Sequence, residues 1–374
     1  MSDEKPAEKK LSEMYREQTL RTWPGVVKMS IDRGVVYEKE EDLKYAMNPH
    51  HAGAVFNPAG NMPLFSLEKS GKGGPSEGNY DDIDWAMRIM RSVQNIEGTA
   101  DKTIAVVMKH ANPTAVAIRN SPLEAFVEAW NPDARAAYGG ALALNKPVTA
   151  ELLEQIYAHI KGIDKKSFMD NMVTPGYSAD AHEYLMKKKN LRVFKYHTER
   201  MAQLDPFEKQ KPEIKHLFDG RIIVHEPYVE AVRTPNDFEC VTPRKPTELE
   251  MKDLLLAWYV VAQTRSNAIN LTKDQIVFAV GTGKQERIEA IEDAIRKAEN
   301  KAHYRGKTKE NCMLGAVMAS DGFIPNTDNI PPLKEHGVTA IIQPGGSEYD
   351  GDVIKACTDA DIAMVLTKWR CFRH

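Results

Sequence analysis

The 374-residue sequence lacks several features that would mark a specialised class of protein. Its four cysteines lie far apart without a C-x-x-C pair, so the sequence predicts neither a disulfide framework nor a zinc knuckle. Lys and Arg number 50 against 53 Asp and Glu, which argues against a broad nucleic-acid-binding surface. The longest uninterrupted apolar stretch, 254–262, is too short to cross a bilayer, and the charged N-terminus has no apolar signal-peptide core. We therefore expect a cytoplasmic protein that binds neither nucleic acid nor membranes.

Sequence signatures of several catalytic classes are also missing. "GTGKQERI", 281–288, matches neither the P-loop nor the G-x-G-x-x-G spacing, although its turn exposes amides at a helix N-terminus and suits either a structural turn or an anionic ligand. No G-x-S-x-G elbow predicts a serine hydrolase. His50, His51 and His110 could be imagined as a metal cluster, but no H-E-x-x-H pattern supports one. We expect no catalytic metal.

What the sequence does contain is an alternation of helical and strand patterns. Hydrophobic residues make up 42% of the chain, enough for a sizeable core. Helices are predicted over 82–94 and 123–130, after the cap Thr149, after the capping box formed by Thr247 and Glu250, and through 288–298. Strands are predicted at 103–107, 275–280, 316–319, 338–342 and 362–366. The pattern indicates an α/β fold whose ligands gather beyond the carboxyl ends of the strands.

The stretch "MKHANPTAVA", 108–117, places a lysine and a histidine directly after a buried strand. Neighbours in an extended segment point to opposite faces, but a turn at Asn112-Pro113 would bring Lys109 and His110 to one pocket. A neutral histidine can accept a proton, and an adjacent lysine can stabilise a developing oxyanion while opposing protonation of the histidine. Alone, such a pair is as compatible with a structural role as with a catalytic one.

Eight motifs in a fixed order give this pair a context. They are "KHANP", "YGGALALNKPV", "DNMVTPGY", "TRSNAI", "GTGKQERI", "GAVMASDGFIP", "GVTAIIQPGGS" and "WRCFRH". Together they resemble the transformylase part of the bifunctional 5-aminoimidazole-4-carboxamide ribonucleotide (AICAR) formyltransferase/IMP cyclohydrolase family, from Lys44 to His374. No counterpart of the family's cyclohydrolase domain precedes Lys44, so we expect a stand-alone transformylase.

The resemblance implies two related α/β/α subdomains with cytidine-deaminase-like topology but without zinc. We expect an N-terminal lead-in over 1–40, the first subdomain over 41–240 and the second over 241–374. It also implies a homodimer with shared active sites, the substrates AICAR and 10-formyltetrahydrofolate, and a separate IMP cyclohydrolase in the pathway.

The resemblance also implies a role for each matching residue. His110 would accept the proton of the substrate's amine, and Lys109 would stabilise the tetrahedral oxyanion or assist the departing folate nitrogen. The residues implied to bind the nucleotide are Lys44, Tyr45, Gly139, Asp170, Asn267, Arg287, Phe323 and Arg370, the last through its phosphate. The residues implied to bind the folate are Ile288, Asp328, Ser347 and Glu348.

Two departures and two alternatives accompany this interpretation. Lys44 stands where the family usually has an arginine, and Thr114-Ala115 replace a cysteine and a glycine. One alternative is formylation of AICAR with formate and ATP, which would require a triphosphate cradle and acidic magnesium ligands. The other is a non-catalytic nucleotide or folate sensor with the same fold, which would have no use for a proton acceptor.

Overall fold

The structure, a computed structural model, describes Pro24 and residues 26–29, 34–207 and 212–374. Much of the predicted lead-in therefore lies outside the described residues. The strands are β1 (Val26–Met29), β2 (Val35–Asp42), β3 (Ala54–Pro58), β4 (Phe65–Lys69), β5 (Thr103–Lys109), β6 (Asn112–Arg119), β7 (Ala141–Leu144), β8 (Asn171–Thr174), β9 (Arg192–Tyr196), β10 (Glu213–His216), β11 (Ile222–His225), β12 (Glu239–Cys240), β13 (Ile269–Lys273), β14 (Ile276–Gly281), β15 (Val317–Ser320), β16 (Ala340–Gln343) and β17 (Ala363–Leu366). The α-helices are α1 (Glu77–Val93), α2 (Pro122–Trp130), α3 (Ala150–Ile163), α4 (Ala179–Met186), α5 (Thr198–Ala202), α6 (Glu248–Val261), α7 (Arg287–Asn300), α8 (Pro331–Glu335) and α9 (Asp350–Asp359).

A mixed sheet of 12 strands forms the centre of the molecule, in the order β4-β9-β8-β7-β5-β6-β14-β13-β15-β16-β17-β12. The second six strands repeat the first six in reverse order, so that β5 and β6 correspond to β13 and β14. Strand directions repeat as well: β7, β8 and β9 run parallel, as do β15, β16 and β17. Two copies of one α/β unit therefore meet where β6 pairs with β14.

Helices cover both faces of this sheet. On one face, α1 and α6 pack against each other and share one apolar core that includes Ile83 and Trp258. On the other face, α2, α3 and α4 cover the first copy and α7, α8 and α9 cover the second, each set with its own core. The strands alternate accordingly: Val106 of β5 faces the shared core, whereas Val107 faces the core under α2. The predicted α/β fold with a buried sheet is confirmed, and the sheet is mixed.

Local signals in the sequence explain where several helices begin. At the start of α6, Thr247 Oγ1 accepts the Glu250 amide at 3.2 Å and the Glu250 carboxylate accepts the Thr247 amide at 2.8 Å. Thr149 Oγ1 caps α3 in the predicted way, accepting the Leu152 amide at 3.2 Å. These two predicted helix starts are confirmed. The predicted start of α1 at Asp82 is wrong by five residues, because the helix begins at Glu77 after the capping box of Ser76 and Asn79.

The segment that precedes α6 covers the outer side of this helix, which is why its second half, 254–261, is apolar all round. Trp258 Nε1 donates to Glu230 Oε1 at 2.9 Å, and the Tyr259 hydroxyl donates to the Val232 carbonyl at 2.9 Å. Burial of Glu230, which is 4% exposed, raises the pKa of its carboxyl to about 7. A titratable group thus lies inside the shared core.

Candidate active site

The hairpin of β5 and β6 carries Lys109 and His110. The predicted turn at Asn112-Pro113 is wrong: the turn is His110-Ala111, with φ angles of 54° and 57°, and Asn112 already begins β6. Pro113 is accommodated inside the strand because the register of the pair shifts between Val107 and Met108. A turn with two left-handed residues suits the twist of a two-residue hairpin, and it leaves His110 exposed at the tip.

Lys109 and His110 line one cavity of about 330 Å³ beside β14. Lys109 Nζ donates to the Gly139 carbonyl at 2.7 Å, so the ammonium has a fixed place near the turn. Burial and, secondarily, the charge of Lys109 lower the pKa of His110 below its usual range. The prediction that the pair would share a pocket is confirmed, and the pair combines a neutral imidazole with an ammonium.

Both polar backbone groups of Ala111 are bound by charged side chains from distant parts of the chain. Asp82 Oδ1, on α1, accepts the Ala111 amide at 2.7 Å. Arg373 Nη1 donates to the Ala111 carbonyl at 2.6 Å, and its guanidinium lies 3.3 Å from the centre of the Trp85 ring. Burial raises the pKa of Asp82 to about 6, although the Ala111 amide and the charge of Lys109 both lower it.

Two more predicted residues, Gly139 and Asp170, lie near this hairpin through a chain of contacts. Gly139, with φ 62°, receives Lys109, and the Gly140 carbonyl accepts the Asp170 amide at 3.0 Å. The Asp170 carboxylate accepts hydrogen bonds from Arg192 Nη1 at 2.7 Å and from Asn79 Nδ2 at 3.1 Å. Asp170 is therefore held on both sides by buried groups.

Lys44 and Tyr45 join the same region through the segment before α1. The Lys44 amide donates to the Pro75 carbonyl at 2.8 Å, and Lys44 Nζ lies 3.5 Å from the Lys72 carbonyl. Arg192 Nε donates to the Gly74 carbonyl at 3.0 Å, which links this segment to Asp170. Lys44 thus stands beside two consecutive glycines, Gly73 and Gly74, and a Cβ atom on Gly73 would lie 3.4 Å from its side chain.

Five of the predicted residues line a second cleft, of about 360 Å³, at the carboxyl ends of the second copy's strands. They are Asn267, Arg287, Ile288, Phe323 and Asp328. Phe323 lines this cleft, is 38% exposed, and its ring can offer an apolar face to a planar ligand. Residues predicted for the nucleotide and for the folate therefore share one cleft.

Arg287 is a cation of this cleft with several polar partners. Its guanidinium is ion-paired with Asp321, donates to the Ala268 carbonyl at 3.1 Å and donates to Asn267 Oδ1 at 2.7 Å. Asp321 is fully buried and also accepts the Ala268 amide at 3.0 Å. A buried charge with such partners is held in one orientation, so Arg287 and Asn267 present a fixed face.

Contacts across β6 and β14 connect the turn with the segment that leads into the cleft. Asn112 Oδ1 accepts the Arg265 amide at 3.0 Å and the Thr282 hydroxyl at 3.2 Å. The Ser266 amide donates to the Arg373 carbonyl at 2.9 Å. Arg373, which binds Ala111, is also adjacent to Phe372 in the lining of the cleft.

Of the remaining three predicted residues, Ser347 and Glu348 lie outside both groups, and Arg370 contacts the second cleft only through Phe372. Ser347 and Glu348 lie on the loop after β16, where the Ser347 hydroxyl accepts the Tyr349 amide at 3.1 Å. Arg370 is exposed and stacks on Phe372, with 4.6 Å between the guanidinium and the ring centre. Their roles stay predictions.

Sequence reasoning missed Asp82, Asp321 and Arg373. Asp82 had a detectable signal, since it lies on the apolar face of α1 together with Ile83 and Ala86, where an unpaired carboxylate is costly. Asp321 stands in the quoted motif "GAVMASDGFIP", but the sequence predicts no role for it. Arg373 gave no local signal, because its partner Ala111 is distant in sequence.

The described part of the chain contains no cluster of metal ligands and no membrane-spanning helix. There, no group of three or more His, Cys, Asp or Glu residues could hold a metal ion, and His50 and His51 contact each other edge to face. The cysteines Cys240, Cys312, Cys357 and Cys371 are free. Among the same residues, no helix has both the length and the apolar character needed to cross a membrane.

Comparisons with known proteins find similar sequences along most of this chain. A family model described as the AICARFT/IMPCHase bienzyme matches residues 10–297. The chain is 34% identical over 349 residues to the bifunctional purine biosynthesis protein PurH of Persephonella marina, and 34% identical over 342 residues to that of Oceanobacillus iheyensis. Each alignment covers 91% of this chain and 60% of the relative, so the chain spans about 60% of the length of these curated relatives.

Proposed function

The chain belongs to the AICARFT/IMPCHase bienzyme family, and from this premise we propose that it transfers a formyl group from 10-formyltetrahydrofolate to the 5-amino group of AICAR. The products are formyl-AICAR and tetrahydrofolate, a step of purine biosynthesis. The observation that carries the proposal is that Lys109, the last residue of β5, and His110, exposed on the left-handed turn that follows, line one cavity.

The chemistry requires a proton acceptor, because the attacking amine must lose a proton as it bonds to carbon. His110 suits this role, since its lowered pKa keeps the imidazole neutral at physiological pH. As the amine nitrogen bonds to the formyl carbon, that carbon becomes tetrahedral and its oxygen gains negative charge. The bond from the formyl carbon to the folate nitrogen then breaks, and that nitrogen takes up a proton.

Lys109 is suited to stabilise the charge on that oxygen. Its ammonium has three N–H donors, and the Gly139 carbonyl occupies one of them. The remaining donors are available to an oxyanion beside His110 without any rearrangement of the backbone. The bond to Gly139 fixes the position of the ammonium before substrate binds, which is the condition for effective electrostatic catalysis.

The second cleft supports binding of a planar heterocycle. We assign Asn267, Arg287 and Phe323 to the nucleotide, because an amide, a guanidinium and an aromatic face suit a ring with a carboxamide. Gly139, Asp170, Lys44, Tyr45 and Arg370 complete the proposed nucleotide set, with Lys44 and Arg370 for the phosphate. Ile288, Asp328, Ser347 and Glu348 form the proposed folate set.

The remaining expectations are part of the same proposal. The repeated strand order supports two related subdomains of cytidine-deaminase-like topology, over 41–240 and 241–374. A homodimer with shared active sites is supported by the β10–β11 hairpin, which exposes Phe218, Ile222, Ile223 and Val224. A cytoplasmic location and a separate protein that closes the ring to IMP complete the proposal.

A direct assay tests the function. The purified protein is incubated with AICAR and 10-formyltetrahydrofolate, and tetrahydrofolate and formyl-AICAR are measured. We expect turnover with the wild type and about 10²–10⁴-fold less with His110→Ala, whose AICAR binding should persist. Turnover with formate and ATP instead of the folate would favour the alternative donor. Binding of both substrates without turnover would indicate a sensor.

A further inference from the structure

The backbone of the turn that carries His110 needs support from outside the turn. His110 and Ala111 have φ angles of 54° and 57°, in the left-handed region. Histidine is found there more often than most residues, but alanine gains nothing from its side chain to offset the strain. Ala111 is buried, so solvent cannot bind its amide. The position of His110 therefore depends on whatever holds Ala111.

Asp82 is placed to hold it. The carboxylate reaches across from α1 to accept the Ala111 amide at 2.7 Å, and Asp82 is only 6% exposed. Helix α1 packs on β5 and β7, so the acceptor is attached to a rigid element. Burial of a carboxylate is unfavourable, as the raised pKa of Asp82 indicates. The fold therefore holds Asp82 against the turn despite the free-energy cost of desolvating its carboxylate.

The second copy of the α/β unit contains the same arrangement without the histidine. Its hairpin turns at Asp274-Gln275, with φ angles of 52° and 59°. Asp253, on α6, accepts the Asp274 amide at 2.9 Å and the Gln275 amide at 2.7 Å. Helix α6 corresponds to α1 in the repeat, so an aspartate on the equivalent helix supports the equivalent turn. The contact is a device of the hairpin, and only the first hairpin presents a proton acceptor.

The lysine before each turn repeats as well. Lys109 donates to the carbonyl of Gly139, which has φ 62° and precedes β7. Lys273 donates to the carbonyl of Leu314, next to Gly315, which has φ 72° and precedes β15. The two hairpins thus share three features: an aspartate on the helix that packs beside the turn, a left-handed turn, and a lysine directly before the turn.

We infer that Asp82 is a positioning residue of the active site, which fixes the His110-Ala111 turn and thereby sets His110 beside Lys109. The inference rests on the proposed formyl transfer for its catalytic consequence. Asp82 touches only the backbone of the turn in this role. The conformation of the turn depends on the position of the Asp82 acceptor oxygen and not on the charge of the carboxylate.

Two substitutions distinguish the position of the acceptor oxygen at residue 82 from the charge of the side chain. Asp82→Asn keeps an acceptor oxygen in place and loses the charge, whereas Asp82→Glu keeps the charge and moves the acceptor by one methylene. We expect Asp82→Asn to retain kcat within about threefold, and Asp82→Glu to lose at least about tenfold in kcat with little change in KM for AICAR, because a small misplacement of catalytic groups is costly. Equal losses in both variants, or no loss in Asp82→Glu, would overturn the inference.

The second copy provides a matched control. Asp253→Glu moves the acceptor of the equivalent turn, which lies at the opposite end of the β6–β14 pair from His110. We expect it to lower the melting temperature about as much as Asp82→Glu, while kcat stays within about twofold of wild type. A loss of kcat in Asp253→Glu as large as in Asp82→Glu would show that the effect is one of stability alone.

A measurement independent of turnover separates this inference from the proposed function. Exchange of the Ala111 amide with solvent deuterium is followed by NMR in the wild type and in both Asp82 variants. We expect fast exchange in Asp82→Glu and slow exchange in Asp82→Asn, whether or not the protein turns over AICAR. Slow exchange in Asp82→Glu would refute the positioning role. An inactive wild type with the expected exchange pattern would refute only the proposed function.

Discussion

Gly139→Ala is the substitution whose effect the geometry around Lys109 predicts most directly. Gly139 has φ 62°, a conformation that a residue with a side chain adopts only at a cost. A Cβ atom there would lie 3.3 Å from Lys109 Nζ and 3.2 Å from the Phe168 ring. The same substitution therefore strains the backbone and presses on the ammonium that we assign to the oxyanion.

The two effects have different magnitudes. The left-handed backbone costs about 1–2 kcal/mol of folding free energy, which corresponds to a fall of a few degrees in melting temperature. The new methyl group must displace Lys109 Nζ by a few tenths of an ångström, away from the place set by the Gly139 carbonyl. Because catalytic groups tolerate little displacement, we expect kcat to fall by about tenfold, or ~1.4 kcal/mol of barrier.

Gly315→Ala is the matched control for this prediction. Gly315 has φ 72°, and a Cβ atom there would lie 3.3 Å from Lys273 Nζ. The backbone strain and the lysine contact are thus alike, but Lys273 lies beside the turn without a histidine. Initial rates with AICAR and melting temperatures are measured for both variants. We expect similar melting temperatures and a loss of kcat in Gly139→Ala only. Equal rates in the two variants would refute the role given to Lys109.

Three further outcomes are expected. His110 must be neutral to accept a proton, and its pKa lies below 6.5, so kcat/KM should rise with pH to a half-maximum below pH 6.5. Lys109→Met removes the nearby positive charge and should move that half-maximum to higher pH. An unmoved half-maximum would contradict the effect of the Lys109 charge on the pKa of His110. Glu230 has a pKa of about 7 in the folded protein against 4.5 in the unfolded chain, so its contribution to stability is complete below pH 4.5 and is lost as pH rises through 7. We therefore expect Glu230→Gln to have a larger free energy of unfolding than the wild type at alkaline pH, by up to roughly 3 kcal/mol. Urea unfolding at several pH values measures this difference. Lys44→Ala should weaken binding of AICAR but not of its dephosphorylated nucleoside, which calorimetry with both ligands measures. Lys44→Arg should change only KM, by up to about tenfold. Equal losses of affinity for the two ligands in Lys44→Ala would remove Lys44 from the site.

Features encoded by neighbouring residues could be predicted from the sequence. The capping box of Thr247 and Glu250 involves residues three apart, and the hydrogen bonds form as the spacing requires. The strand after Lys102 and the helix after Ser121 likewise begin where local patterns place them. Such signals depend on one turn of helix or one stretch of strand, so no knowledge of the fold is needed.

The turn at His110-Ala111 could not be predicted from local rules. Asn-Pro is a common turn signal, and alanine is a poor candidate for a left-handed position. Tertiary contacts reverse both preferences: the shifted register accepts Pro113 into β6, and Asp82 and Arg373 hold the two polar groups of Ala111. These partners come from other parts of the chain, which is why the sequence around the turn does not reveal them.

The internal duplication is hidden from the sequence for a related reason. The two turns read "KHAN" and "KDQI", which share only the lysine, because the features that repeat are a backbone conformation, a helix carboxylate and a lysine-to-carbonyl bond. None of these requires a particular residue at the centre of the turn. The first hairpin could therefore carry a histidine and the second an aspartate, Asp274, without changing the support beneath them. A role in stability must appear in both copies, whereas a role in catalysis must appear in only one. Paired substitutions at Asp82 and Asp253, or at Gly139 and Gly315, therefore distinguish a loss of stability from a loss of catalysis within a single molecule.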